Sequence, residues 1–131
     1  MVSLKQLDNY DFHAELALQW LTAQIHDDGS YGRKINDLAC YYKSPYLFSL
    51  TDHHHDAHKM LDFIKQKFMQ DDGDFISLKG DKSENAAFNE FWSYTNGWIT
   101  LAAQKLGRFD ISYPAFEYLY SFYHPTLGAF T

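Results

Sequence analysis

The chain has 131 residues, of which 46% are hydrophobic and 18% aromatic, and it carries a formal net charge of −6. That length allows at most one ordinary domain. An acidic balance with scattered Lys and Arg excludes a nucleic-acid backbone and an anionic membrane surface as partners, since both demand a basic stripe.

The first predicted element is a helix from Tyr10 to about His26, where Phe12, Leu16, Trp20 and Leu21 recur at helical spacing. Asp27-Asp28-Gly29 stops it, because glycine supplies the positive φ that a helix end often needs. The stretch NDLACYYKSPYLFSLTD reads as two short helices. Asp37 caps the first. Ser44-Pro45 reads as N-cap and first residue of the second, running to about Leu50, since proline lacks the N–H a helix interior needs; a kinked helix is the alternative. From Asp56 to Met69 the pattern is clear: Ala57, Met60, Leu61, Ile64 and Phe68 form one apolar face. The polar run from Ser77 to Asn89 predicts a long loop. Phe91 to Leu106 is the next helix, interrupted near its start by Asn96-Gly97 and ended by Gly107. Ser112 and Pro114 open the last one, which bears Phe116, Leu119 and Phe122. No apolar run approaches the ~20 residues of a membrane span, and MVSLKQLDNYDFHAE has no signal-peptide core. The single cysteine, Cys40, allows no internal disulfide and suits a reducing compartment. A cytoplasmic protein is expected.

Three segments close alike. ALQWLTAQIHDDGSY, KMLDFIKQKFMQDDGDF and FEYLYSFYHPTLGAF each run from an aromatic-bearing helix into Gly, one residue and an aromatic. The closing glycines are Gly29, Gly73 and Gly128, 44 and 55 residues apart. Between them, YKSPYLFSL (Tyr42 to Leu50) aligns with YTNGWITLA (Tyr94 to Ala102). Two helices per unit at such a period mark a helical array. Residues 1–131 therefore read as a single helical-repeat domain of about two and a half hairpins.

These endings resemble the aromatic–Gln–Gly–aromatic repeat of the prenyltransferase and squalene cyclase superfamily. The best copy is Trp20-Leu21-x-x-Gln24 with Gly29-Ser30-Tyr31; the others keep Phe63 and Tyr118, the glycine and the closing ring, but lose the glutamine. The resemblance implies an all-α fold of antiparallel helical hairpins, a partial (α/α) toroid whose inner helices surround a cavity. The N-terminal parts of the inner segments would face that cavity, which nominates Tyr41, Tyr42, Tyr46, Trp92, Tyr94, Asn96 and Trp98. A closed toroid needs about five or six hairpins, so the chain looks like half a ring. It is expected to form a homo-oligomer or to be part of a longer chain. If ~500 Å² of apolar edge is uncovered, its burial is worth roughly 12 kcal/mol as an upper bound. The family's reactions do not carry over. No D-x-D-D acid is present, and Asp37 lies three residues before Cys40 where the zinc-binding pair is spaced by two.

Three local motifs have a functional and a plain reading. His54 and His58, four apart on a helix, can chelate a transition metal with Asp52 or Asp56; the plain reading is an exposed, Asp-capped helix start. Asp71-Asp72-Gly73-Asp74 hints at a diphosphate–magnesium cluster, but Asp27-Asp28-Gly29 repeats it, which favours turn chemistry. Cys40 is a nucleophile, a zinc ligand or a small core residue. A metal is thus the one cofactor candidate, and no catalytic acid or base can be named.

Two functions emerge. One is a terpenoid cyclase- or prenyltransferase-like protein with an aromatic-lined cavity for a small apolar substrate, where ring faces stabilise cations; its reaction is unknown. The other is a non-catalytic helical-repeat module that binds a protein partner, or itself, through an apolar edge. A carbohydrate-active (α/α) barrel is a third, but the Asp residues fall at turns rather than as paired carboxylates in a cavity. An enclosed pocket around Tyr42, Tyr46, Tyr94 and Trp98 with a nearby carboxylate or metal favours catalysis, whereas a shallow groove favours binding.

Overall fold

The computed structural model describes residues 4–77 and 79–130. Residues 1–3 and Thr131 lie outside the described residues, as does Leu78 of the predicted loop. The described chain is mostly helical: α1 (Leu4–Thr22), a 3-10 turn (Leu38–Cys40), α2 (Ser44–Leu50), α3 (His54–Lys67), α4 (Ala87–Glu90), α5 (Trp92–Lys105) and α6 (Phe109–Tyr120). A ribbon of β1 (Tyr123–His124) and β2 (Ala129–Phe130) follows, paired antiparallel. No helix among the described residues is long and apolar enough to cross a membrane.

Helix α3 forms for the reason its sequence gives. Ala57, Met60, Leu61 and Ile64 are fully buried on one face, and Phe68 is buried at the C-cap. Asp56 lies in the first turn and Lys65 and Lys67 in the last, matching the helix dipole. Helix α2 packs on α3 and on α5, and α5 on α6. Leu38, Tyr41, Phe48, Met60, Ile64, Phe75, Ile99 and Ile111 make one continuous core between them.

Helix α5 runs unbroken through Asn96-Gly97, where an interruption is expected, and the largest boundary differences are at α1, α2 and α6. Helix α1 starts and ends earlier, and its apolar stripe points outward. Phe12, Leu16 and Trp20 are exposed, while Leu18 and Leu21 meet the core. Period 3.6 identifies a helix but not which side is covered. At α2 the N-cap is Lys43, with Ser44 and Pro45 inside the first turn, where a missing N–H costs nothing. Helix α6 begins at Phe109 and carries Pro114 in its interior. Ile111 and Ala115 anchor it in the core, and ion pairs fasten its start. Arg108 binds Asp110 through Nε and Nη2, both at 2.9 Å, and reaches Asp62 of α3 at 2.7 Å. Lys65 of α3 also binds Asp110, at 2.8 Å. The Arg108 and Lys65 hydrogen bonds hold the Asp110 carboxyl well below the usual carboxylate range.

The first two glycine turns are built alike. His26 N–H donates to Ser30 O and Gly29 N–H to His26 O; Gln70 and Gly73 repeat both bonds with Asp74 O and Gln70 O. Asp28 Oδ1 accepts from Ser30 N–H at 2.9 Å, and Asp72 Oδ1 from Asp74 N–H at 3.0 Å. The Ser30 hydroxyl foremost, then the Ser30 N–H, holds the Asp28 carboxyl below its ordinary value. The bridges Ile25–Tyr31 and Met69–Phe75 close the two turns. Each turn then docks on the next long helix after α2 or α5. A Cβ on Gly29 would lie 2.2 Å from the Lys59 carbonyl of α3, and one on Gly73 would lie 2.1 Å from the Pro114 carbonyl of α6. Both glycines hold positive φ, +84° and +90°. The third turn is one residue wider, with Gly128 N–H on His124 O, and nothing lies within 4 Å of where its Cβ would be.

Candidate functional site

Helices α2 and α5 bring the two aligned segments together ring on ring. Tyr42 lies 5.6 Å from Tyr94 between ring centroids, and Tyr46 lies 5.6 Å from Trp98. Two pairs at one sequence offset mean that the two segments run in the same direction. Phe88 of α4 closes on Tyr42 at 5.6 Å. The exposed Lys43 ammonium hangs over this patch, 5.3, 5.6 and 5.5 Å from the centroids of Tyr42, Tyr94 and Trp98. Ring faces carry negative potential, so a cation is attracted there. The Tyr94 hydroxyl foremost, then Tyr42, keep the pKa of Lys43 above its ordinary value. Beside the patch runs a groove of about 240 Å³ lined by Ser93, Tyr94, Gly97, Trp98 and Leu101. It is shallow and apolar, and no carboxylate lines it.

Trp92 and Asn96 do not face that groove. They sit four apart on the opposite face of α5 and enter a buried polar network instead. Its centre is Lys82, fully buried although it comes from the polar run. Lys82 Nζ pairs with Asp74 Oδ1 and donates to Phe75 O at 2.6 Å and Asn96 Oδ1 at 2.9 Å. It also lies 4.4 Å from the Trp92 ring centroid. Asp74 in turn accepts from Phe75 N–H at 2.7 Å, Asn96 Nδ2 at 2.8 Å and Trp92 Nε1 at 3.0 Å. Trp92 Nε1 shares its proton with the Tyr118 hydroxyl at 2.9 Å.

The three ammonium hydrogens meet three acceptors, so the protonated form of Lys82 fits the site. Burial lowers the pKa of Lys82 against the raising pull of Asp74. Burial alone would raise the Asp74 carboxyl, but the Lys82 and Asn96 hydrogen bonds outweigh it and leave it lowered. Burial, with the nearby Asp74 charge, pushes the Tyr118 phenol up to about 12. The Lys82 ammonium and the Asp74 carboxylate are both buried and spend their charges on each other and on these neighbours. The network ties the loop to α5 and α6.

Neighbouring bonds fasten the same loop. Ser77 Oγ accepts from Leu38 N–H at 2.9 Å, and the Ser83 hydroxyl donates to Asp37 Oδ2 at 3.2 Å. Asp37 also caps the 3-10 turn by accepting from Ala39 N–H, as its position implied. The run that reads as solvated loop is thus pinned through buried Ser77, Lys82 and Ser83.

The remaining candidates fall elsewhere. Tyr41 is a core residue, stacked on Phe63 at 5.3 Å and against Phe68 at 5.2 Å. Its hydroxyl donates to Ile35 O and accepts from Tyr31 N–H, and burial pushes its pKa up to about 12. His54 Nε2 lies 4.0 Å from Asp52 Oδ1 on the open surface, and His53 rather than Asp52 is the N-cap of α3. Asp52 instead takes the turn position at φ +62°. No group of three or more His, Cys, Asp or Glu among the described residues is placed to hold a metal, so His54, His58 and Asp52 are not gathered into one. Burial foremost, then Asp37, raises the Cys40 thiol, which opposes a nucleophilic role. Asp72 works as turn chemistry and Asp74 as an ion-pair partner.

Composition and period miss the Lys82–Asp74 pair, because both residues sit in polar stretches that read as exposed. The offset between the first two turns carries the one available signal. Asp74 occupies the position of Ser30, which is buried, and a charge in a buried slot requires a partner. Compared with known proteins, the chain matches no family model, no curated protein and no solved structure.

Proposed function

We propose that the chain is a non-catalytic helical-repeat module, part of an (α/α) ring, that buries an open apolar edge against a protein partner. The observation that carries this is the undocked third turn: Gly29 and Gly73 each press on a helix, and Gly128 presses on nothing. Around it Tyr113, Phe116, Tyr120, Leu127 and Phe130 are exposed. Leu101, Tyr113, Phe116 and Leu119 line a groove of about 450 Å³ between α5 and α6. Thr100, on the same groove, holds the only buried side-chain oxygen or nitrogen among the described residues without a hydrogen bond. Contiguous apolar surface of this kind marks an interaction site. Sedimentation at rising concentration in the presence of a hydrophobic dye tests it. Association or dye binding by the wild type, lost in Tyr113→Glu/Phe116→Glu with unchanged helix content, is the expected result. A wild type that stays monomeric and dye-free would end the proposal.

A second reading keeps the ring patch as a site for a small apolar ligand with an anionic group. It rests on Lys43, whose ammonium faces solvent above three rings. The apolar body would lie on Tyr94 and Trp98 while Lys43 pairs with the charge. Titrating a medium-chain fatty acid against tryptophan fluorescence should give saturable quenching that Lys43→Met weakens about tenfold. Equal quenching in wild type and Trp98→Leu would remove this site.

A further inference from the structure

We propose that the edge is filled by a second copy of this chain, head to tail, with the Gly128 turn of one copy docked on α1 of the next beside Glu15. This rests on the open-edge reading and specifies its partner. The reasoning is positional. In the docking seen twice within the chain, the carbonyl that a glycine approaches belongs to a long helix followed by its own glycine turn. Lys59 lies 14 residues before Gly73, and Pro114 lies 14 before Gly128. Counted back from Gly29, the same distance falls on Glu15, inside α1. Helix α1 is the remaining helix of that class, and no glycine turn among the described residues docks on it.

The surface at that point suits a close backbone approach. Ala14, Glu15 and Ala17 line a groove of about 620 Å³ with Leu18, Leu21 and Leu47 of α2. Two alanines leave the helix backbone accessible, as Ala115 does beside Pro114 in the Gly73 contact. Leu7, Tyr10, Phe12, Leu16 and Trp20 on α1 are exposed and supply apolar area to meet the α6 edge. Charge agrees too. The segment FYHPTLGAF (Phe122 to Phe130) has no acidic residue, so nothing in it repels Asp11 or Glu15. Since the two surfaces differ, the contact is heterologous, and copies add in series until the ring closes or a filament grows.

The test uses the full chain in a Cys40→Ser background. Proteins carrying Glu15→Cys alone and Leu127→Cys alone are mixed and oxidised, and each is also oxidised by itself. A covalent dimer in the mixture and none in either protein alone supports the proposal. In parallel, Gly128→Ala should raise the dissociation constant at least about tenfold while leaving the circular dichroism spectrum unchanged, because its new Cβ would meet the α1 backbone. Association with cross-linking only of Leu127→Cys to itself overturns the α1 contact and leaves the open-edge reading standing. Association that Gly128→Ala does not weaken overturns it likewise. A wild type that remains monomeric at high concentration overturns the self-docking, and one that is also dye-free overturns both.

Discussion

Replacing Gly73 with alanine is expected to lower the unfolding free energy by about 3–4 kcal/mol, with Gly29→Ala close behind and Gly32→Ala costing only about 1 kcal/mol. All three glycines hold positive φ, so all three substitutions meet the same backbone strain. What separates them is space. A Cβ at position 73 would overlap the Pro114 carbonyl and crowd Ala115 N, and one at position 29 would overlap the Lys59 carbonyl; a Cβ at position 32 would meet nothing within 4 Å. The obstructing atoms are backbone, which cannot swing aside as a side chain can. Urea unfolding of the three variants measures the difference. Equal losses would mean that the close approach contributes nothing beyond φ.

Breaking the buried ion pair is the second large effect. Lys82→Met is expected to destabilise by about 3–5 kcal/mol, because it leaves the Asp74 carboxylate buried without its partner. Lys82→Met combined with Asp74→Asn should recover more than half of that, since the neutral amide oxygen can still accept from Phe75 N–H and Asn96 Nδ2, which share Oδ1, while Trp92 Nε1 keeps the Tyr118 hydroxyl. The dependence on pH has a definite sign. In the wild type the folded pKa of Asp74 lies below its unfolded value, so the unfolded chain binds the extra proton. Its contribution is complete above the unfolded pKa and is lost as pH falls through the folded one. In Lys82→Met the unpaired, buried carboxyl is raised instead, and folding then favours the protonated form. The stability gap between wild type and variant should therefore narrow as pH drops below about 5. A gap that stays constant from pH 7 to pH 4 would show that Asp74 remains ionised without Lys82.

The regular parts of this fold are legible in the sequence. The α3 face can be named residue by residue, because Ala57, Met60, Leu61 and Ile64 repeat at the helical period and are all buried. Aligning Tyr42 with Tyr94 and Tyr46 with Trp98 also anticipates physical neighbours, since those rings meet in the same pairs. The glycine turns read correctly as turns because positive φ narrows the choice of residue.

What stays hidden depends on the surroundings of a residue rather than on its type. Trp20, Phe63 and Tyr118 look equivalent on paper, yet Trp20 is 64% exposed and Phe63 only 8%. Trp20 sits nine residues before its glycine and the other two sit ten before theirs, so its side chain is turned to another side of the helix. Trp92 and Asn96 share a helix with Tyr94 and Trp98, but the opposing faces of α5 send one pair to Lys82 and the other to α2. Lys82 itself has no local signature. Its role follows from a carboxylate eight residues away in sequence, and only the folded chain defines that proximity.

The two docked turns also give the protein a direction. The bend after α1 leans on α3, and the bend after α3 leans on α6. Support is handed along the row, from each long rod to its successor. Loosening α6 would remove the footing beneath α3 and, through it, beneath α1. Fraying at α1 removes no glycine turn's footing among the described residues, and uncovers only the part of the core that Leu18 and Leu21 shelter.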